Sequence, residues 1–265
     1  MTLIRDMNIR GLILDMDGVL WRDQQAIGDL PRIFRTIDEL NLKVTLATNN
    51  ATLNAEKFLE KLNNFGVVLE LWQIVTSSQA TAEYLVKHHP GGGPLYIIGE
   101  EGLVNSLSIY SFYHDETHPM AVVIGLDRQL TYQQLSQASL LVRSGIPFIG
   151  TNPDKTLPTP RGLIPGAGSI LAAVETATDR KPILIGKPAP EMYRIAIKRM
   201  GIREQETLVV GDRVETDIVG AQALDCRTAL VLSGATSYMA ANAWRPPPDL
   251  ICADLEQVLA FLQVG

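Results

Sequence analysis

The chain has 265 residues, a formal net charge of −6, and 46% hydrophobic against 20% charged residues. That balance belongs to a globular chain long enough to bury a full core, and it excludes disordered, collagen-like and coiled-coil classes. No apolar run approaches the ~20 residues of a membrane span, the first ten residues do not read as a secretory signal, and a pI near 5.3 argues against a nucleic-acid partner.

In chain order, Gly11 to Asp15 (GLILD) reads as a buried strand. Pro31 to Leu40 follows as a helix with Ile33, Ile37 and Leu40 on one face. Lys43 to Thr48 is a second strand and Leu53 to Phe65 a second helix. The middle has its own βα rhythm. Leu95 to Gly99, Met120 to Gly125 and Pro147 to Gly150 are strands there; Glu101 to Ser106, Tyr132 to Arg143 and Ser169 to Thr176 are helices. Ile183 to Gly186, Leu208 to Gly211 and Thr228 to Leu232 read as three more strands of the outer segments, with a helix over Pro188 to Met200 and a last short strand over Leu250 to Ala253.

Near-continuous apolar strands separated by helices predict a parallel sheet covered on both faces, a doubly wound, Rossmann-like α/β core. The expected organisation is a core made of residues 1–77 and 182–265 around an inserted α/β domain at 78–181. Cys226 and Cys252 lie far apart in apolar contexts and read as buried thiols in a reducing compartment, so the cytoplasm is the expected location. The spacing of His88, His89, His114 and His118 suggests no metal site.

In open α/β sheets, ligands bind beyond the carboxyl ends of the strands. Those ends carry Asp15-Met16-Asp17-Gly18, then Thr48-Asn49-Asn50, then Lys187, then Asp212 with Asp217. Each type suits phosphoryl transfer. Asp15 and Asp212 suit a shared Mg²⁺, a hard cation that takes oxygen ligands. With its charge offset, Asp15 can attack phosphorus in line. Asp17 can protonate the leaving oxygen and later deprotonate water. Thr48 Oγ, the Asn49 N–H and Lys187 can hold the transferring oxygens, and Asp217 can act through a metal-bound water or the lysine. An Asp-x-Asp-Gly arises by chance in about one chain in fifteen; its company at three other strand ends carries the argument. Turn and helix-cap roles remain the plain readings of Asp15/Asp17, Thr48 and Asp217 taken singly.

These residues resemble the haloacid-dehalogenase superfamily of phosphatases. Asp15-Met16-Asp17-Gly18-Val19-Leu20, Thr48-Asn49-Asn50, Gly186-Lys187-Pro188 and Gly211-Asp212-Arg213-Val214-Glu215-Thr216-Asp217 match its four motifs in order. Tyr96-Ile97-Ile98-Gly99-Glu100-Glu101-Gly102, Gly125-Leu126-Asp127, Thr151-Asn152-Pro153-Asp154 and Gly166-Ala167-Gly168-Ser169 look like the large cap of its NagD-type branch. The resemblance implies that Asp15 is the nucleophile and a Mg²⁺ ligand, and that Asp17 is the acid/base with its carbonyl on the metal. It implies that Thr48, Asn49 and Lys187 bind the phosphoryl group, with Asn50 in the same substrate-binding segment. Asp212 is then the third protein ligand, and Asp217 supports the metal. Asn152 and Asp154 fall in what resembles the branch's substrate-specificity loop, and a plain Asn-Pro-Asp turn reads equally well. Ala51 departs from the serine common in the branch, which puts a peripheral hydrogen bond in doubt.

Trp21 follows the first motif in an expected flap; stacking on a substrate and filling the junction of core and insert both stay open. The expected activity is Mg²⁺-dependent hydrolysis of a small phosphorylated metabolite: a nucleotide, sugar phosphate, phosphoglycolate or pyridoxal phosphate. The rivals are a non-catalytic metal- or phosphate-binding protein of this fold and a metal-dependent glycosyltransferase. A homodimer through the caps is an analogy with the branch that the sequence does not fix.

Overall fold

The structure is a computed structural model and describes residues 8–159 and 161–263. They form two compact units. One takes the chain up to Thr48, Glu56–Val75 and the chain from Tyr193 onward; the other takes Asn49–Ala55 and Thr76–Met192.

The first unit opens with β1 (Gly11–Leu14), buried along its whole length, as a strand covered on both faces must be. A two-strand ribbon follows, β2 (Trp21–Arg22) and β3 (Gln25–Ala26), paired antiparallel. Helix α1 (Leu30–Glu39) starts where the Asp29 carboxylate accepts the Arg32 N–H (3.1 Å) and buries Leu30, Ile33, Phe34 and Ile37, one apolar stripe at helical spacing. Strand β4 (Lys43–Thr48), helix α2 (Ala55–Asn64) and strand β5 (Ile74–Thr76) follow.

The second unit begins with α3 (Ser77–His88), a stretch for which the sequence reading gives no element. Its start signal is nonetheless there: Thr76 and Gln79 exchange side chain and backbone in a capping box. Then come β6 (Gly93–Ile98), α4 (Glu101–Ser108), β7 (Phe112–His114), β8 (Val122–Ile124), α5 (Tyr132–Arg143) and β9 (Phe148–Gly150). A hairpin of β10 (Thr156–Thr159) and β11 (Gly162–Pro165), helix α6 (Ala167–Thr178) and strand β12 (Ile183–Leu184) close the series. The five-stranded sheet has the order β12-β9-β8-β6-β7, with β12 on β9, β9 on β8, β8 on β6 and β6 on β7 all parallel. Its core joins Tyr96, Ile98, Val122 and Ile124 to Ala138, Val142, Ile170 and Val174 from the helices.

The chain returns to the first unit along α7 (Glu191–Met200), then β13 (Thr207–Gly211), α8 (Val219–Gln222), β14 (Arg227–Val231), α9 (Tyr238–Ala243), β15 (Leu250–Cys252) and α10 (Leu255–Gln263). The six-stranded sheet has the order β15-β14-β13-β1-β4-β5. From β1 the chain winds outward through β4 and β5, then restarts beside β1 at β13 and winds the other way. The reversal between β1 and β13 is a topological switch point, where doubly wound sheets open a crevice at their carboxyl ends. The fold is thus the expected α/β architecture, a doubly wound parallel core with an inserted α/β cap domain.

One strand differs from expectation. Ile183 to Gly186 reads as a core strand, but Ile183 and Leu184 pair with Ile149 and Gly150 of β9, at the edge of the inserted unit's sheet. A short apolar run states that it is a strand and not which strand it joins; pairing is decided by long-range packing.

Candidate active site

Asp15 stands directly after β1, and its N–H donates to the Val210 carbonyl (2.9 Å). Asp212 stands directly after β13, the parallel neighbour that pairs Leu14 with Val210. Asp217 lies in a wide π-helical turn, Val214–Ile218, a geometry that recurs at functional sites. This turn is pinned from α7: the Tyr193 hydroxyl donates to the carbonyls of Thr216 (3.0 Å) and Asp217 (3.1 Å), and the Arg213 N–H donates to Asp217 Oδ2 (3.0 Å). One carboxylate oxygen each from Asp15, Asp212 and Asp217 lies within 4.8 Å of the others.

Asp212 and Asp217 are 3% and 1% exposed. Anions at such separations repel by ~3–4 kcal/mol per pair at an effective dielectric of about 20. A cation with a preference for oxygen donors removes that cost, and an all-carboxylate donor set suits a hard divalent ion. The residues present therefore fit a hard divalent ion. The loop after β14 shapes the cluster: the Ala235 N–H donates to Asp212 Oδ2 (2.6 Å). A Cβ at Gly234 would lie 2.0 Å from that oxygen, and one at Gly18, whose φ is +84°, would lie 2.5 Å from it. Neither position has room for a side chain, and Gly18 also needs the left-handed backbone.

Asp17 is exposed and its carboxylate is outside the cluster, which leaves its backbone carbonyl as the group that could serve a metal. Its Oδ1 accepts the indole N–H of Trp21 (2.9 Å). Trp21 is 1% exposed, and its ring packs against Phe65 and under Lys61 Nζ. Burial lowers the Lys61 ammonium from its ordinary range, against the opposing pull of Asp17 and Asp23. The Trp21 ring thus meets Phe65 and Lys61 of its own unit.

Thr48, 2% exposed, ends β4, and at Asn49 the chain passes into the other unit. There the Asn49 carbonyl is a hub: it accepts Ser77 Oγ–H (2.7 Å) and Asn152 Nδ2–H (2.8 Å). The Asn49 side-chain amide donates to the Lys187 carbonyl (2.9 Å) and, more distantly, to Asp154 Oδ1 (3.4 Å). Asn152 Oδ1 accepts the Asp154 N–H (3.1 Å). Asn50 Oδ1 takes the Thr52 N–H (2.9 Å) and hydroxyl (2.7 Å), closing a local turn. Lys187 is 3% exposed. Gly186 faces Asn49 Oδ1, from which a Cβ would be 2.6 Å.

The ten residues singled out in the sequence therefore fall into two groups. Asp15, Asp212 and Asp217 converge, with Asp17 and Thr48 in the same unit; Asn49, Asn50, Asn152, Asp154 and Lys187 share the other. The sequence reading missed Ser77, Tyr193 and the Gly234-Ala235 loop. Ser77 and Tyr193 carry no motif, since each acts on a backbone carbonyl far away in sequence.

The family description "Haloacid dehalogenase-like hydrolase" matches residues 12–112, and "HAD-hydrolase-like" matches residues 184–258. An acid sugar phosphatase of Staphylococcus saprophyticus is 33% identical over 257 residues, 97% of this chain and 99% of the relative. Among solved structures, p-nitrophenyl phosphatase from Archaeoglobus fulgidus superposes with a TM-score of 0.90 at 28% identity, covering 95% of this chain and 98% of its own. NagD from E. coli K-12 superposes with a TM-score of 0.86 at 30% identity, covering 93% and 97%.

Proposed function

We infer that this chain, which belongs to the NagD-type branch of the haloacid dehalogenase-like phosphatases, hydrolyses the phosphomonoester of a small metabolite through an aspartyl-phosphate on Asp15. Sugar phosphates stand first among the substrates, because the curated relatives that match nearly the whole chain carry that activity in their names. Membership of a phosphatase branch sets aside the glycosyltransferase and binding-only rivals.

The observation that carries the reading is the convergence of Asp15, Asp212 and Asp217 within 4.8 Å, with Asp15 and Asp212 at the ends of neighbouring strands β1 and β13. A divalent ion, Mg²⁺ in this reading, would be held by the Asp15 and Asp212 carboxylates and the Asp17 carbonyl, with Asp217 in support, and would offset the repulsion between an anionic nucleophile and an anionic ester. Asp15 attacks phosphorus, and the bond to the leaving oxygen breaks as Asp17 gives that oxygen a proton. Asp17 then takes a proton from the water that attacks the phosphorylated aspartate, which frees phosphate and restores Asp15. The Thr48 hydroxyl and Asn49 N–H donate to phosphoryl oxygens and the Lys187 ammonium neutralises them. Asn50, Asn152 and Asp154 complete the substrate-binding set in this reading. The free, buried Cys226 and Cys252 support a reducing, cytoplasmic setting.

The test is a kcat/KM screen over phosphorylated metabolites with Mg²⁺, repeated after chelation and with Asp15→Asn. We expect chelation to abolish turnover and Asp15→Asn to lower it by more than about 1,000-fold while the protein stays folded. An Asp15→Asn variant with near-normal, chelator-resistant activity would refute the reading.

A further inference from the structure

An exposed aspartate ordinarily samples several rotamers, yet proton transfer needs the acid held within hydrogen-bond reach of the departing oxygen. Asp17 is exposed and is nevertheless held, because Oδ1 accepts the Trp21 indole N–H at 2.9 Å. The indole is itself seated. Trp21 is almost wholly buried and stacks on Phe65 with ring centres 6.0 Å apart and planes at 25°. Lys61 Nζ lies 4.1 Å from the ring centre while donating to the Asp23 carbonyl at 2.8 Å. Between the two residues the backbone closes on itself: the Gly18 N–H donates to the Trp21 carbonyl (2.7 Å) and the Leu20 N–H to the Met16 carbonyl (2.8 Å). A buried indole has one polar group to satisfy, and here that need selects one carboxylate orientation.

We propose that Trp21 is a positioning residue for the acid/base step: its N–H fixes the Asp17 carboxylate through Oδ1, so that Oδ2 carries the proton. The proposal rests on the role given to Asp17 under the proposed function. In the step concerned, the bond from Asp15 oxygen to phosphorus forms and the bond from phosphorus to the leaving oxygen breaks. The electron pair of the broken bond stays on that oxygen and takes the proton from Asp17 Oδ2. An alkyl leaving group, such as a sugar hydroxyl, needs the proton; p-nitrophenolate, a stable anion, departs without it. Loss of the indole N–H should therefore penalise alkyl esters and spare p-nitrophenyl phosphate.

The experiment compares kcat/KM for p-nitrophenyl phosphate with that for the best sugar phosphate in wild type, Trp21→Phe and Asp17→Asn. This parameter covers only the steps up to loss of the leaving group, and the ratio of two substrates cancels any unfolded fraction. Trp21→Phe keeps an apolar ring between Phe65 and Lys61. We expect it to lower the sugar-phosphate value about tenfold and the aryl value less than about twofold, while Asp17→Asn lowers the sugar-phosphate value by ~10²–10⁴ and keeps measurable aryl activity. If Trp21→Phe does not fold, benzothienylalanine placed at position 21, in which sulfur replaces only the N–H, reads the same ratio. An unchanged ratio at position 21 beside a shifted ratio for Asp17→Asn overturns the proposal alone. An unchanged ratio for Asp17→Asn overturns the acid/base reading beneath it. A rise in sugar-phosphate turnover on losing the N–H also overturns the proposal, since the indole would then restrain the acid.

Discussion

The side chains that matter most here are defined by what they touch rather than by their type. Asn152 is the clearest example. From the sequence it reads as a member of a substrate loop or a plain turn. In the structure it is 4% exposed and uses both ends of its amide on the backbone, Nδ2 on the Asn49 carbonyl (2.8 Å) and Oδ1 on the Asp154 N–H (3.1 Å). Asn152→Ala should cost about 1–3 kcal/mol, because it strands a backbone donor and thins the hub. Urea unfolding will read this as a lower midpoint at unchanged slope. Unchanged stability with a raised KM would mean that Asn152 serves substrate binding alone and not the hub. The carboxylates differ from Asn152 in legibility. Asp15, Asp17 and Asp212 were visible because acids placed at the ends of buried strands need an electrostatic reason to be there. Trp21 was visible only as an aromatic; its N–H partner four residues back depends on a turn that a linear pattern does not display.

At the scale of elements, legibility follows apolar patterning rather than length: the three-residue strands β8, β9 and β15 are readable from the sequence, and the twelve-residue helix α3 is not. Strand β1 and helix α1 follow from apolar runs and spacing alone. Helix α3 went unread although its capping box was present, since its buried face is made of small and polar residues such as Ser77, Ser78, Ala80 and Thr81. Strand β12 is legible as a strand, but its pairing with β9 is not. The entry to β13 shows how an element is anchored. In the turn Glu204–Glu206, the Glu206 carboxylate accepts from the Arg203 side chain (2.9 Å) and backbone N–H (3.0 Å) and lies 3.7 Å from the Arg10 guanidinium. The Arg203 hydrogen bonds hold its carboxyl down to about 2. Because the folded value is depressed, the contribution to stability is complete above the ordinary glutamate range and is lost as pH falls from about 4.5 towards 2. Glu206→Gln should therefore lose stability at neutral pH and flatten its decline across that window in pH-dependent unfolding. A decline as steep as that of wild type would place the acid-labile group elsewhere.

For the molecule as a whole, the alternation of strands and helices was enough to predict a doubly wound core with an α/β insertion. The return of Asp212 and Asp217 to Asp15 from the far end of the chain follows from the same topology, since the sheet restarts beside β1 at β13. Which residues belong to each unit was less legible, because the chain changes unit at Thr48–Asn49, Ala55–Glu56, Val75–Thr76 and Met192–Tyr193, inside motif, helix and strand rather than in loose linkers. No helix among the described residues is long and apolar enough to cross a membrane.

Rapid acid quench during turnover, followed by borohydride reduction and peptide mass spectrometry, converts a phosphorylated aspartate to homoserine and locates it. We expect homoserine at position 15 in wild type and none in Asp15→Asn. Turnover without reduction at position 15, or with the label on another residue, would contradict an aspartyl-phosphate on Asp15.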